Sequence, residues 1–310
     1  YFCKKMRNKV VVQIPCLNEE KTIGIVVKDI KKKLPSAKII VYDNDSSDNS
    51  ITVAKKSGAE IVIEKKRGKG NVVRRMFSDV IDANYFIMID ADNTYDVSQI
   101  SEALKKMISE KFDMLVAKRI HTDSEAYRKG HVVGNFFFTK FVNFCFGNKI
   151  SDIFSGFRIF SKRFVKTFPQ NSSEFEIEAE LTIHALEQKT RVGEFNCKYK
   201  ARPPGSLSKL NTYKDGFKIL RLILIMIKDE KPLLFFSLFS LFFFIFSLSI
   251  GLPIIFEFYI TGLVERFPSA ILSGLLMVIS FLSFFCGLIL DSIKKIRFEN
   301  KRLNFLLFKD

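Results

Sequence analysis

The chain reads as an α/β protein: a mostly parallel sheet, covered by helices, that precedes a two-helix membrane hairpin. Three observations predict this. Short apolar runs alternate with helical stretches from Lys9 to Ala117, the pattern of a parallel, doubly covered sheet. No charged residue lies between Lys231 and Glu257, and none between Arg266 and Asp291, each gap exceeding the roughly 20 residues that cross a bilayer as a helix. The apolar run Tyr85–Ile89 stops abruptly in Asp90-Ala91-Asp92, which sets two carboxylates at the end of a predicted strand, where open α/β sheets bind ligands.

Lys9 to Pro15, with Val10-Val11-Val12, is predicted as the first strand, and Asn18-Glu19-Glu20 follows it. A helix is predicted from Glu19 to Leu34, with acids in its first turn and lysines in its last, as the macrodipole favours. Lys38–Asp43 is the second strand and closes in a polar turn, Asp43 to Asp48, that can cap a helix reaching Gly58. Ile61–Ile63 is a third strand, Gly68-Lys69-Gly70 opens a helix to Ala83, and the Tyr85–Ile89 strand comes next. A helix over Val97–Lys111 and a strand at Met114–Ala117 complete the alternation.

Residues two apart on an extended backbone project to the same side, so Asp90 and Asp92 point together. Two such carboxylates repel unless a cation sits between them, and a hard divalent ion bridges carboxylates to substrate phosphates. The alternative for an isolated Asp-x-Asp is a solvated acidic turn.

The chain has 310 residues, 47% of them apolar, and a formal charge of +16. The average hides a division, because Pro232 to Leu290 is almost wholly apolar. Two transmembrane helices are predicted at Leu233–Phe256 and Phe267–Leu290; a buried core hairpin is the alternative. Lys228 and Lys231 precede the hairpin, and Lys294, Lys295, Arg297, Lys301 and Arg302 follow it. By the positive-inside rule both ends, and the large domain before the hairpin, are cytoplasmic. Nothing at the start resembles a signal peptide, and the opening Tyr1 leaves room for missing native residues. Five cysteines without metal-ligand spacing suit a reducing compartment. No Lys/Arg-rich run with interleaved aromatics indicates nucleic acid, and attraction to an anionic leaflet accounts better for the charge. The expected organisation is a catalytic domain over 1–212, a juxtamembrane amphipathic helix over 213–231, and the hairpin with a basic tail over 232–310. Lys214, Lys218, Arg221 and Lys228 form a basic stripe on that helix. The Phe-rich stretch Val132–Phe146 is too short to span and reads as a second interfacial helix or as core.

Seven short motifs then occur in one order: Ile14-Pro15-Cys16-Leu17-Asn18-Glu19-Glu20, Asp43 to Asp48, Arg67-Gly68-Lys69-Gly70, Asp90-Ala91-Asp92, Ser155-Gly156-Phe157-Arg158, Phe175-Glu176-Ile177-Glu178, and Arg202-Pro203-Pro204-Gly205-Ser206-Leu207-Ser208-Lys209. In this the chain resembles a family 2 glycosyltransferase of the GT-A (Rossmann-like) fold, and within it the polyprenyl-phosphate group that includes dolichol-phosphate mannose synthase. The resemblance implies that a sugar passes from a nucleotide-sugar donor to a polyprenyl phosphate with inversion. UDP-glucose is the leading donor and GDP-mannose the second. It also implies that Pro15, Asn18, Glu19 and Asp43 meet the base and ribose, with helix caps and turns as the alternative for Asn18 and Asp48. Asp45 stands where the family usually has Gly. Gly68 and Lys69 resemble a phosphate cradle.

Asp90 and Asp92, with Thr94, would hold Mg²⁺ or Mn²⁺ on the diphosphate, and Asp90 also meets the nucleotide. Arg202 and Lys209 would add cations from a mobile loop that closes over the diphosphate. A headgroup-binding basic loop is the alternative for that segment. Asp152 is the candidate on the acceptor side, for orientation first and base catalysis second. Ser155 and Arg158 are candidates for the acceptor phosphate, with a structural ion pair equally open for Arg158. Glu176 and Glu178 match the family without a chemical role. Some relatives assemble through their hairpins, so a homo-oligomer is possible. A processive polysaccharide synthase would carry a Gln-x-x-Arg-Trp motif, and this chain has no Trp. A non-catalytic scaffold and a nucleic-acid-binding membrane protein are the remaining rivals.

Overall fold

Val11 to Cys16 of the first strand are all buried, Gln13 among them, as a strand covered on both faces requires. The computed structural model describes residues 9–79, 82–121, 139–144, 146–147, 150–169, 177–200, 224–225 and 227–308. Its sheet domain begins β1 (Val10–Cys16), α1 (Ile23–Lys33), β2 (Lys38–Asp43), α2 (Ser50–Lys56), β3 (Glu60–Ile63), α3 (Lys69–Ser78), β4 (Tyr85–Met88). A 3-10 turn at Val97–Gln99 leads into α4 (Ile100–Ser109), then β5 (Met114–His121) and β6 (Arg158–Ser161). Helices Lys162–Thr167 and Ile177–Glu187 and strand β7 (Val192–Tyr199) follow.

The seven strands lie in the order β3-β2-β1-β4-β6-β5-β7. β1 pairs in parallel with both β2 and β4, β2 with β3, and β5 with β7; β6 runs antiparallel between β4 and β5. The chain therefore winds outward from β1 in one direction and resumes on its other side with β4. That reversal opens a crevice beyond the carboxyl ends of β1 and β4. One core packs α1 and α4 against the sheet through Val12, Ile14, Ile30 and Met107. The other packs α3 and the Ile177–Glu187 helix through Val73, Met76, Phe160 and Leu181.

Several boundaries differ from expectation, each for a tertiary reason. α1 starts at Ile23 rather than Glu19, because the Glu19 and Glu20 amides donate instead to Ser50 Oγ (2.7 Å) and Asp48 Oδ2 (3.1 Å) across the β2–α2 turn. The expected acids in its first turn are thus outside the helix. α3 stops at Ser78, five residues short, where the Arg75–Asp79 pair (2.8 Å) closes it. β5 runs on to His121 because β7 pairs with it along its full length. The expected interfacial helix over 213–231 falls mostly outside the described residues, as do Phe136, Phe137 and Phe138.

Residues 220–300 form a second compact unit, whereas 1–219 and 301–310 belong to the sheet domain. Two helices, Pro232–Thr261 and Phe267–Leu307, are long and apolar enough to cross a membrane. Both outlast the predicted spans. Their contact uses small and hydroxylic residues, as close helix packing in lipid favours. Ser280 Oγ donates to the Ser240 carbonyl (2.8 Å), Ser247 Oγ to the Ser273 carbonyl (2.8 Å), and Gly287 lies against Phe236. Phe242, Phe256, Leu282 and Ile289 face outward. Within this unit Lys294 and Arg297 converge on the buried Glu230 at 3.5 and 3.2 Å.

The last turns of the second helix belong to the sheet domain, where Lys301 pairs with Glu187 (2.7 Å) and Arg302 donates to the Gln188 carbonyl (2.6 Å). His184 lies beside them, edge-on to Phe164 and Phe168, buried, with neither ring nitrogen hydrogen-bonded among the described residues. Burial, then Lys301, push its pKa from 6.5 down to about 4, against the pull of Glu187. The folded state therefore holds it neutral while the unfolded chain protonates near 6.5. Its contribution to stability is complete above that value and is lost as pH falls towards 4, on the order of 3 kcal/mol in all. Thermal midpoints of the purified protein should fall over that window, and His184→Leu should flatten the slope.

Candidate functional site

Three strand ends converge on the crevice. β1 ends at Cys16, β2 at Asp43, and β4 runs through Ile89 into Asp90. Asp43 accepts from the Ser46 amide through Oδ2 (2.9 Å), while Oδ1 is buried without a hydrogen-bond partner among the described residues. A carboxylate oxygen in that condition needs a donor, and the imide or hydroxyl of a nucleoside provides one. Pro15 lies inside β1 opposite Tyr42, buried. Asn18 has φ 51° and accepts the Ser47 amide (2.8 Å) while its own amide donates to Ser46 Oγ (2.9 Å). Its side chain therefore builds the turn, the alternative reading for this residue. Asp48 likewise accepts from Ser50 and Glu20, which holds its carboxyl below the usual range despite partial burial. Asp45, where the family usually has Gly, adopts φ 62°, a left-handed conformation that Asp tolerates. Glu19 is buried with Thr22 Oγ1 donating to its Oε2 (3.2 Å).

The start of α3 is held by Asn44, a residue the sequence did not single out. Its amide donates to the Glu64 and Lys66 carbonyls (2.9 Å each) and its Oδ1 accepts the Gly68 amide (2.8 Å). Gly68 has φ 118°, a conformation costly for any residue with a Cβ. Lys69 then points inward. Its ammonium lies 2.6 Å from Asp90 Oδ1 and 2.5 Å from Glu178 Oε1, with the side chain 12% exposed. Burial opposes this charge, but Asp90 and Glu178 outweigh it and hold the ammonium above the ordinary lysine range. Lys69 is thus an ion-paired lysine beside Asp90, in the segment expected as a phosphate cradle or as a close backbone approach to the nucleotide. Glu178 acquires the partner that its sequence match lacked.

Asp92 is 4% exposed, and Thr94 donates to its Oδ1 from both backbone (3.1 Å) and hydroxyl (2.6 Å). Thr94 is expected as a further metal ligand; its hydroxyl hydrogen orients Asp92, and the oxygen keeps lone pairs for a cation. The loop from Asp92 to Asp96 is stitched to β7 by Lys200 N–H to Thr94 O (2.8 Å) and Asp96 N–H to Lys198 O (3.1 Å). This brings Tyr199 to the site. Burial raises its phenol's pKa first, and Asp92 and Asp90 add to the rise, so both carboxylates act on one hydroxyl. Across the site Gly156 faces Asp90: a Cβ there would come within 2.0 Å of Asp90 Oδ2, so a larger residue would displace that carboxylate.

Ser155 and Arg158, expected at the acceptor phosphate, point into the protein. Ser155 is fully buried, its Oγ 3.3 Å from the Tyr95 hydroxyl, which also accepts the Gly156 amide (2.7 Å). Arg158 is 0% exposed and donates to Ser155 O (2.9 Å), Ile153 O (2.5 Å) and Thr182 Oγ1 (2.9 Å). Burial brings its pKa down to about 10 although Glu178 and Asp152 favour the charge. A guanidinium so placed braces the 153–156 loop and has no face towards a ligand. The cation beside the cleft is Arg119, which the sequence did not single out. It binds Asp152 in a two-pronged pair (2.7 Å each) and lies over the Tyr199 ring at 5.4 Å. Asp152, expected as orienter or base, therefore has both oxygens engaged. Glu194 holds the same loop through Ser151 Oγ and N–H (2.8 Å each). Arg202 and Lys209, the expected loop cations, lie outside the described residues, as does Glu176.

Arg158→Met should lower stability by about 3–5 kcal/mol, the scale for one member of a buried charged network, measured as a lowered thermal midpoint. An acceptor-binding role would instead leave the midpoint alone and raise the acceptor KM.

The comparisons agree with this geometry. Residues 11–168 match the model for Glycosyl transferase family 2. The chain is 28% identical to glycosyltransferase AglJ of Haloferax volcanii over 229 residues, 74% of this chain and 75% of that one. It is 23% identical to a dolichyl-phosphate hexose transferase of the same organism, over 69% of this chain and 92% of that one. In fold it is similar to glucosyl-3-phosphoglycerate synthase of Mycobacterium tuberculosis, solved with Mg²⁺ and uridine-diphosphate, at a TM-score of 0.57 and 18% identity over 72% of this chain and 79% of that one. With the family model covering half the chain and a GT-A-like sheet beneath it, the protein belongs to glycosyltransferase family 2.

Proposed function

We propose that this glycosyltransferase moves a hexose from a nucleotide-sugar to a polyprenyl phosphate at the cytoplasmic face of a membrane. The observation that carries the reading is the carboxylate pair beyond β4, with Asp43 holding an unpartnered buried oxygen at the neighbouring strand end. Asp43 and Glu19 would bind the base and ribose. The reported complex of the M. tuberculosis synthase with uridine-diphosphate supports a uridine nucleotide, and UDP-glucose is the favoured donor. GDP-mannose is the second choice.

The donor set fits a hard divalent ion. Among the described residues no group of three His, Cys, Asp or Glu forms a closed cage, so the protein offers Asp90 and Asp92 and leaves other positions to diphosphate oxygens and water. That is how Mg²⁺ is usually held, and Mn²⁺ shares the preference for oxygen. When bound, the ion would neutralise charge on the departing nucleoside diphosphate. Asp92 is kept in position for this by Thr94, and Asp90 by Lys69 and the wall at Gly156. Arg202 and Lys209 are proposed as further cations at the diphosphate.

On the acceptor side a phosphate monoester, with a second pKa of about 6, is largely dianionic near neutral pH and needs little help from a base. Its oxygen attacks the anomeric carbon in a single inverting displacement as the bond to the nucleoside diphosphate breaks. Asp152 is engaged by Arg119 and suits orientation, and Arg119 is proposed as a cation for the acceptor phosphate. Similarity to the dolichyl-phosphate hexose transferase supports this acceptor class. The two apolar helices would anchor the enzyme where the lipid lies, and the lysines and arginines flanking them favour cytoplasmic ends.

Purified protein incubated with polyprenyl phosphate, Mn²⁺ and labelled sugar nucleotides should yield a lipid-linked sugar. Asp92→Ala and chelation should each reduce the rate by about 100-fold or more, the scale for losing charge stabilisation in the transition state. Transfer undiminished in excess chelator would refute the metal-assisted reading.

A further inference from the structure

Lys69 is the most constrained charge in the site. An ammonium has three donors and no acceptor, and two of the donors are directed to carboxylates on different elements, Asp90 after β4 and Glu178 on the Ile177–Glu187 helix. Glu178 contributes only Oε1 to the pair. Its Oε2 is buried without a hydrogen-bond partner among the described residues, a costly state for a carboxylate oxygen. Asp90 has Lys69 on Oδ1, and its Oδ2 points to Gly156, where an added Cβ would clash with it, so a cation that takes Asp90 Oδ1 competes with Lys69.

Resting on the metal-assisted reading above, we propose that Lys69 is the resident counter-ion of Asp90, displaced when a divalent cation arrives with the donor, and that Glu178 is the positioning residue that takes up Lys69 during the exchange. The unpaired Oε2 supplies the second acceptor that the ammonium needs once Asp90 releases it. The exchange keeps a positive charge on Asp90 throughout. Before the donor arrives, Lys69 offsets Asp90 while Thr94 holds Asp92; afterwards the divalent cation offsets the acid pair, and Lys69 remains tethered to Glu178. An empty site thus avoids two uncompensated carboxylates, whose mutual repulsion would otherwise distort the Asp90–Asp92 turn.

Binding of Mn²⁺ to the full chain in nanodiscs, followed by the electron paramagnetic resonance of free Mn²⁺, tests this without turnover. Lys69→Met combined with Glu178→Gln removes one charge of each sign, so the net charge equals that of the wild type and neither member of the Lys69–Glu178 pair is left without the other. With the competitor gone, this double variant should bind Mn²⁺ about tenfold more tightly than the wild type without nucleotide, a contact-scale charge effect. Glu178→Gln alone leaves Lys69 to Asp90 and should weaken Mn²⁺ binding several-fold. A double variant with wild-type or weaker affinity overturns the exchange while leaving the metal-assisted reading intact. A wild-type chain that takes up no Mn²⁺ even with uridine diphosphate overturns both.

Discussion

The site depends on one electrostatic constraint: carboxylates gathered in a partly dry crevice must be compensated before any ligand arrives. Asp90 is compensated by Lys69, Asp152 by Arg119, and Asp92 by the two donors of Thr94. Lys69 and Arg119 come from other parts of the chain than their carboxylates, so these two pairs also tie elements together. Lys69 joins the start of α3 to the end of β4 and to the Ile177–Glu187 helix. Arg119 joins β5 to the loop before β6 and lies on Tyr199 of β7. The low local dielectric that makes these pairs strong also makes removal of either member costly.

The antiparallel strand β6 is the topological feature that completes the crevice. Inserted between β4 and β5, it returns the chain so that Gly156 lies against Asp90 and Arg158 can brace the preceding loop from inside. Tyr95 and Tyr199 close the same side, meeting edge-on at 5.0 Å, with the Tyr95 hydroxyl accepting the Gly156 amide. Burial, with lesser contributions from Asp90 and Asp152, holds the Tyr95 phenol protonated well beyond the usual range. It therefore serves as a fixed hydrogen-bonding post rather than a proton donor.

In the second unit the balance of forces is different. Apolar side chains face outward along both long helices, and the contact between them relies on serine hydroxyls bonded to the opposite backbone and on glycines. In lipid, apolar burial does not drive helices together, so close approach and hydrogen bonds do that work.

Much of this architecture was legible in the linear chain. Apolar runs of period two or unbroken length located β1 to β5, because burial on a sheet imposes that pattern locally. The uncharged gaps located both long helices, because length and composition alone decide whether a helix suits a bilayer. The acid pair at the end of β4 and the Asp43 turn could be located at the ligand edge, since a strand that stops in polar residues marks that edge in such a sheet. What a side chain faces could not be read so. In sequence Arg158 is equally a ligand group or a structural residue, Ser155 looks like a ligand group and Lys69 like a phosphate cradle; packing turns all three inward. Arg119, Asn44 and Tyr95 carry no local signature and gain their roles only when β7, the β2 turn and the loop before β6 are brought beside them. Charge pairing across 21 to 109 positions of sequence is a product of tertiary contact, as with Lys69 and its two carboxylates, and a chain read in one dimension contains no measure of it.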